Sequence, residues 1–469
     1  MKTNIKKIFC KALICFIGAT LMGCNKENQN TISLQEESSV QVIEGTPDYS
    51  SLSSTNVIRL AAWVSPPPAN WNGKGNPSYI EDEYYKDLKD SDLNAIYALY
   101  ENNNYSAIEK ACQLAEKYGV KYYVRDTGHT YVDPVKMELE PGDWSNNQQV
   151  KQYSQYDSFA GHLITDEPNA SEFEKLRNIK RFYETEFPGK DFYVNLFPTY
   201  ASLSQLGTTT YQEYIHQYIE TVNPDYISYD HYALMVDGYG KYKLTDDNLF
   251  NLEVVASECK QASIPMMTFV QIMSYSESSR CPNEQELRYQ IMTQLAYGSK
   301  GIQYFCYWTP IEWGEDTCTP AMITMDGQKT ERYYYAKTVN EELLKMDEAY
   351  LNFDWDGTMV LEGSEGNSTN KGYKLLSNAL TSHEMIKEVK ATQDALVGTF
   401  TGKDGRKAFM ITNFDDPAYK HDNNIEITFN GAKKVLIYHY GNKEIKDLVN
   451  GKLEYKLDPG DGIFVIPFK

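Results

Sequence analysis

Gly161-His162-Leu163-Ile164-Thr165-Asp166-Glu167-Pro168 is the stretch on which the reading of this chain turns. The apolar pair Leu163-Ile164 runs straight into two adjacent carboxylates and a proline. Ser171 and Glu174 then have capping-box spacing, and Phe173, Leu176, Ile179 and Tyr183 recur at steps of three and four. The pattern is a strand, a polar loop and a helix, with the acids at the C-terminal tip of the strand. In a (β/α)8 barrel that tip is where chemistry is placed. Glu167 is therefore read as the centre of an active site.

Working outward, the same strand–helix rhythm repeats. Apolar runs at Val57-Val64, Asn94-Tyr100, Lys121-Arg125, Phe159-Thr165, Phe192-Phe197, Tyr226-Tyr229, Met266-Gln271 and Gly301-Tyr307 read as strands. Between them lie helical patterns such as 105–118, where Ile108, Ala111, Cys112 and Ala115 share a face and Gly119 caps the end. Eight such units predict an α/β fold, a (β/α)8 TIM barrel over residues 56–353. After about Asp354 only short strands with turn residues between them fit: Met359-Leu361, Ala395-Phe400, Lys407-Asn413, Ile425-Phe429, Lys434-Tyr440 and Gly462-Pro467. Residues 354–469 therefore read as a C-terminal β-sandwich domain.

The start of the chain reads as an address. Lys2, Lys6, Lys7 and Lys11 precede an apolar run from Ala12 to Met22, too short to span a membrane, that ends in Leu21-Met22-Gly23-Cys24. That ending resembles a bacterial lipobox, which implies a lipoprotein signal peptide over 1–23 and acylation of Cys24. The expected location is the cell envelope, with the outer membrane favoured. Residues 24–55, rich in Ser, Thr, Asn, Gln and Glu, read as a flexible tether. The formal charge is −20, and no basic run follows the first dozen residues, so nucleic acid is excluded as a partner. The cysteines show no metal-ligand spacing. Cys112 and Cys306 read as core thiols, and for Cys281 and Cys318, in loops after successive strands, the sequence leaves open whether they form the disulfide an exported chain would permit.

The strand tips collect acids, amides and rings. The first gives Trp63, the fourth Asp166 and Glu167, and the fifth Asn195; the sixth reads Tyr229-Asp230-His231, the seventh ends in Gln271, and the eighth leads to Trp308 and Glu312. Hydrolysing an acetal needs one carboxyl group to protonate the leaving oxygen and a second as nucleophile or base. Glu167 is the expected acid and Asp230 the first choice of second carboxylate, with Asp166 beside them raising the acid's pKa. Trp63, Asn195, Tyr229, His231, Gln271 and Trp308 are the expected contacts to a carbohydrate. The 38 tyrosines suit either a sugar-stacking cleft or a filled barrel. No metal or organic cofactor is implied.

The barrel, the strand-four acid before a proline and the trailing sandwich together resemble clan A glycoside hydrolases, and within them the barrel of family 42 β-galactosidases. The stretches Pro282-Asn283-Glu284-Gln285-Glu286-Leu287-Arg288-Tyr289-Gln290 and 295–305 share that likeness. The resemblance implies that Glu167 is the general acid. Two departures stand out: Asp166 where the clan has Asn, and Gln271 where it has a nucleophilic Glu. Glu277, Asp230 or Glu312 would then supply the second carboxylate. Alternatively Asp166-Glu167 acts as a pair, since Asp-Glu-Pro also resembles family 123 and family 20 hexosaminidases, where the substrate's acetamido group is the nucleophile. A glycan-binding lipoprotein without catalysis and an adhesion lipoprotein are the readings from other classes.

Overall fold

The computed structural model describes residues 42–50, 57–134, 136–311, 319–365 and 372–469. Cys24, Glu312 and Cys318 lie outside them, as do the signal-peptide reading and the distal half of the expected disulfide. Cys281 is a free thiol contacted by the Arg332 guanidinium, and Cys112 and Cys306 are buried as expected.

Eight parallel strands close into a barrel: β1 (Arg59–Trp63), β2 (Ala95–Tyr97), β3 (Lys121–Val124), β4 (Phe159–Asp166), β5 (Asp191–Leu196), β6 (Ile227–Tyr229), β7 (Met266–Gln271) and β8 (Gly301–Phe305). Each lies within three residues of the apolar run that predicted it, because a strand buried on both faces must be apolar along its length. The helix Tyr105–Tyr118 has the expected buried face and ends at Gly119 in a left-handed turn.

Tyrosine fills the barrel. Tyr97, Tyr123 and Tyr193 pack with ring centroids 4.5 to 5.8 Å apart. Their hydroxyls need partners once buried. Tyr97 donates to Gln303 Oε1 at 2.5 Å, and Gln303 Nε2 donates to Ser228 Oγ at 2.9 Å. Ser228 in turn donates to Asn195 Oδ1 at 3.0 Å, so a polar chain climbs from the barrel core to its C-terminal mouth.

The C-terminal domain has two antiparallel sheets. One has six strands: β9 (Phe353–Leu361), β11 (Ala395–Gly402), β12 (Lys407–Asn413), β17 (Gly462–Phe468), β14 (Lys434–His439) and β15 (Asn442–Asp447), in that spatial order. The other has three: β10 (Ile386–Ala391), β13 (Asn423–Phe429) and β16 (Lys452–Leu457). Period-two alternation divides the larger sheet's side chains. Leu396, Phe400, Met410 and Phe464 join the barrel's core, while Val397, Ile411, Val435 and Val465 pack against Ile427 and Leu453 of the smaller sheet. The strands β10, β15 and β16 escaped the sequence reading because they are rich in charged residues and largely exposed.

The tether is shorter than expected. Val42 is buried in the sandwich core, Gly45 N–H donates to the Lys469 carbonyl, and Tyr49 OH donates to Asp404 Oδ2 at 3.1 Å. Residues 42–50 are thus packed structure, held by apolar groups too sparse to register in a polar run.

Candidate active site

Strand β4 sets the geometry. Gly161 lies so close to β5 that a Cβ there would sit 2.1 Å from the Asp191 carbonyl oxygen, and its φ of +153° suits only glycine comfortably. The register with β5 shifts between Leu163 and Thr165, a bulge that re-aims the residues after it. Glu167 then turns into the left-handed region at φ +51°, where a non-glycine residue pays about 1 kcal/mol or more. Its N–H still donates to the Asn195 carbonyl at 2.8 Å, and Pro168 disfavours right-handed helical backbone for it. The following helix, Phe173–Glu186, buries the expected Phe173, Leu176, Ile179 and Tyr183. Its approach is capped by Asn169, which accepts from Ser171 N, and not by the Ser171–Glu174 pair.

Asp166, Glu167 and Asp230 all face one cavity of about 350 Å³ at the C-terminal ends of the strands. Asn195 stands between two of them. Its Nδ2 donates to Asp230 Oδ1 at 2.8 Å and to Asp166 Oδ1 at 3.2 Å, while Ser228 fixes the amide's orientation from below. Burial is the main force on all three carboxyls, and repulsion from neighbouring acids adds to it for Asp166 and Glu167. Asp166 is raised to about 7 by burial and Asp230, against the opposing pull of Asn195 and Arg125. Glu167 is raised to about 8 by burial, Asp230 and Asp166. Asp230 is raised by burial, with hydrogen bonds from Asn195 and Tyr232 acting against it.

Aromatic rings form the walls. Trp63 lies across Phe269 at 6.0 Å, and Tyr232 packs against Tyr275 at 5.3 Å and Phe305 at 5.2 Å. Tyr200, half exposed, stands at the rim over His231 at 5.2 Å. Tyr200 and Tyr275 come from the loops after β5 and β7 and were missed in the sequence. Their only signal was a tyrosine four residues past a strand tip.

Other candidates are placed elsewhere. Tyr229 points away from the barrel interior and is buried, and it lines no part of the cavity. Trp308 is fully buried between Tyr79 and Tyr84, with ring centroids at 4.6 and 5.3 Å, so it is packing and not a sugar platform. Gln271 is fully buried under the loop after β7, its Nε2 donating to the Arg280 carbonyl at 2.5 Å. Glu277 is exposed on that loop and lines no part of the cavity. His231 lies behind the cavity wall, where its Nε2 meets Asp247 Oδ1 at 3.1 Å. Asp247 is pushed up by burial but held down to about 2 by His231 and Thr199. Two charged residues, Arg125 and Asp126, follow β3. Arg125 reaches Leu99 O and Asn102 and stacks on Tyr131, while Asp126 accepts from Tyr153.

A larger hollow, about 510 Å³, lies at the opposite end of the barrel below β7 and β8, lined by Met266, Lys300 and Trp355. It holds no pair of facing acids, and barrel chemistry belongs to the other end. Among the described residues no cluster of His, Cys, Asp or Glu is arranged to hold a metal ion.

Fold and site together define a (β/α)8 barrel with three facing acids at its C-terminal mouth, followed by a β-sandwich. A catalytic mutant of a GH42 β-galactosidase from G. stearothermophilus has the same fold, with a TM-score of 0.53 and 9% identity over 88% of this chain and 98% of that one. A GH30 endoxylanase from Clostridium papyrosolvens C71 is more distant, with a TM-score of 0.44 and 11% identity over 88% and 97% of the two chains. An Anoxybacillus α-amylase gives 0.46 and 11% over 88% and 98%. No family model and no curated protein matches the chain.

Proposed function

We propose that this chain is a glycoside hydrolase whose general acid is Glu167. The observation that carries the reading is a cavity faced by three carboxyls between aromatic walls, where burial and the neighbouring acids raise Glu167. An acid of this kind can protonate a glycosidic oxygen as the C1–O bond breaks. A second carboxylate then stabilises or attacks C1, and water completes the hydrolysis. Asp230 takes that second role. With Gln271 buried and Glu277 on the surface, β7 supplies no carboxylate to the cavity. The same fact favours one alternative, in which Asp166 orients an acetamido group of the substrate as the nucleophile. The product of a reaction run in ¹⁸O-water separates neither route, but loss of turnover on replacing an acetamido group by hydroxyl separates them.

The test uses the chain from Val40 onward and its Glu167→Gln variant, incubated with β-linked and N-acetylated glycans, with released sugar detected by mass. Release by the native chain and a fall of about 10²–10⁴-fold in the variant are expected. Equal release by both would remove Glu167 from the role.

The enzyme acts, in this reading, from the cell envelope. The support is the lysine-rich start, the short apolar run and Leu21-Met22-Gly23-Cys24. In the native bacterial host, labelled palmitate should enter the full chain and not its Cys24→Ser variant. Label retained in that variant would end the anchoring claim.

A further inference from the structure

We propose that the cavity selects sugars by charge. Among rings of one configuration it holds the hexosamine with a free ammonium most tightly, the uncharged sugar next and the uronate least. The proposal rests on reading this cavity as the sugar site and adds to that reading the class of ring it accepts.

The argument begins with what the lining lacks. Three carboxyls face the cavity, and no Lys, Arg or His is among the described residues that line it. Arg125 acts on Asp166 from outside the lining and is already spent on Leu99 O, Asn102 and the Tyr131 ring. His231 acts on Asp230 from behind the wall and is paired with Asp247. No fixed positive charge is therefore free to meet an anion on the substrate.

The one amide among the described lining residues is also used up: both N–H groups of Asn195 go to Asp166 and Asp230, which leaves tyrosine hydroxyls as the neutral donors. The floor offers acceptors and asks for donors. A sugar hydroxyl supplies one, and an ammonium supplies up to three with a charge the acids lack. The carboxylate of a uronate supplies none and adds a fourth acid to a site already crowded by three. Aromatic faces strengthen the bias, because Trp63, Tyr232 and Tyr275 attract a cation and offer an anion nothing. The cavity, about 350 Å³, lies at the small end of the range for ligand pockets, which suits a single ring over a chain.

The direction with pH follows. As pH rises through the range where Asp166 and Glu167 lose their protons, the floor gains charge. Glu167 also loses the one acidic hydrogen it could give a uronate. The preference for ammonium over uronate should therefore widen from about pH 5.5 to about pH 7, below the range where a hexosamine's own ammonium loses its proton.

The test titrates the chain with free monosaccharides, which are not cleaved. For each of the gluco, galacto and manno configurations the hexose, N-acetylhexosamine, hexosamine and hexuronate are compared by calorimetry at both pH values. In whichever series binds, the hexosamine should exceed the hexuronate by about tenfold or more at the higher pH, with a smaller gap at the lower. A uronate that binds as tightly as its neutral partner overturns charge selection, and so does a hexosamine that gains nothing over the hexose. Binding to no sugar in any series overturns the sugar reading itself, and this proposal with it. Asp230→Asn, with unchanged circular dichroism, should narrow the gap. Glu167→Gln serves as the second variant, and a gap unchanged in both assigns the selection to something other than these acids.

Discussion

At the scale of single residues, the site works by crowding acids where water is scarce. Glu167 keeps its proton because burial and two neighbouring carboxyls make its charged form costly. The same forces cost stability. A carboxyl with a raised native pKa favours the folded state only while protonated, so its contribution is present at low pH and is lost as pH rises through the native value. For Asp166 and Glu167 that loss falls between about pH 4 and pH 8, from ordinary carboxyl values toward about 7 and 8. Asp230→Asn removes one charge and keeps an oxygen for Asn195. The variant should melt with the native chain near pH 4 and a few degrees above it near pH 8.5. Scanning calorimetry across that range checks this, and a constant difference would contradict it. The acids were legible in the sequence because Asp166 and Glu167 are adjacent and end an apolar run. Tyr229 was misplaced although alternation could have placed it: Ser228 and Asp230 point inward, so the residue between them points out. Trp308 and Gln271 were misplaced for another reason. They lie where loops close over the strand ends, and loop paths leave no periodic trace.

At the scale of elements, β4 is the part on which the site depends. It carries two of the three acids, and its close approach to β5 aligns Asp166 with Asn195. Gly161→Ala would drive a methyl into the Asp191 backbone. The expected cost is about 1–3 kcal/mol of stability, with activity lost beyond the unfolded fraction because both strands must shift. Chemical denaturation and kcat together measure it, and a variant with native stability would show that the strands yield freely. The barrel's strands were readable because burial on both faces demands apolar runs. The charged strands β10, β15 and β16 were not, since half-exposed strands share their composition with loops.

At the scale of the molecule, the sandwich is tied to the cavity wall. Arg280 ends the loop that carries Tyr275, and its guanidinium makes a two-point contact with Asp416 of the sandwich at 2.8 and 2.5 Å, with Glu286 at 3.1 Å. The pair is buried on both sides. Removing one partner from a buried pair leaves a charge without compensation, which costs about 3–5 kcal/mol. Asp416→Ala should lower stability by about that amount and weaken substrate binding through the Tyr275 loop. A normal KM in the folded variant would detach the sandwich from the site. The helix Glu284–Ala296 belongs to the same seam. Nearly every residue from Glu286 onward is buried, because the barrel covers one side and the larger sheet the other.

The most direct test of the central claim compares leaving groups in the Glu167→Gln variant. Once the glycan panel has named the sugar, the variant is assayed on its natural linkage and on the matching dinitrophenyl glycoside, whose leaving group needs no proton. If Glu167 is the general acid, the natural linkage should lose about 10²–10⁴-fold in kcat/KM and the dinitrophenyl glycoside far less. An equal fall on both substrates, or none on either, would contradict it.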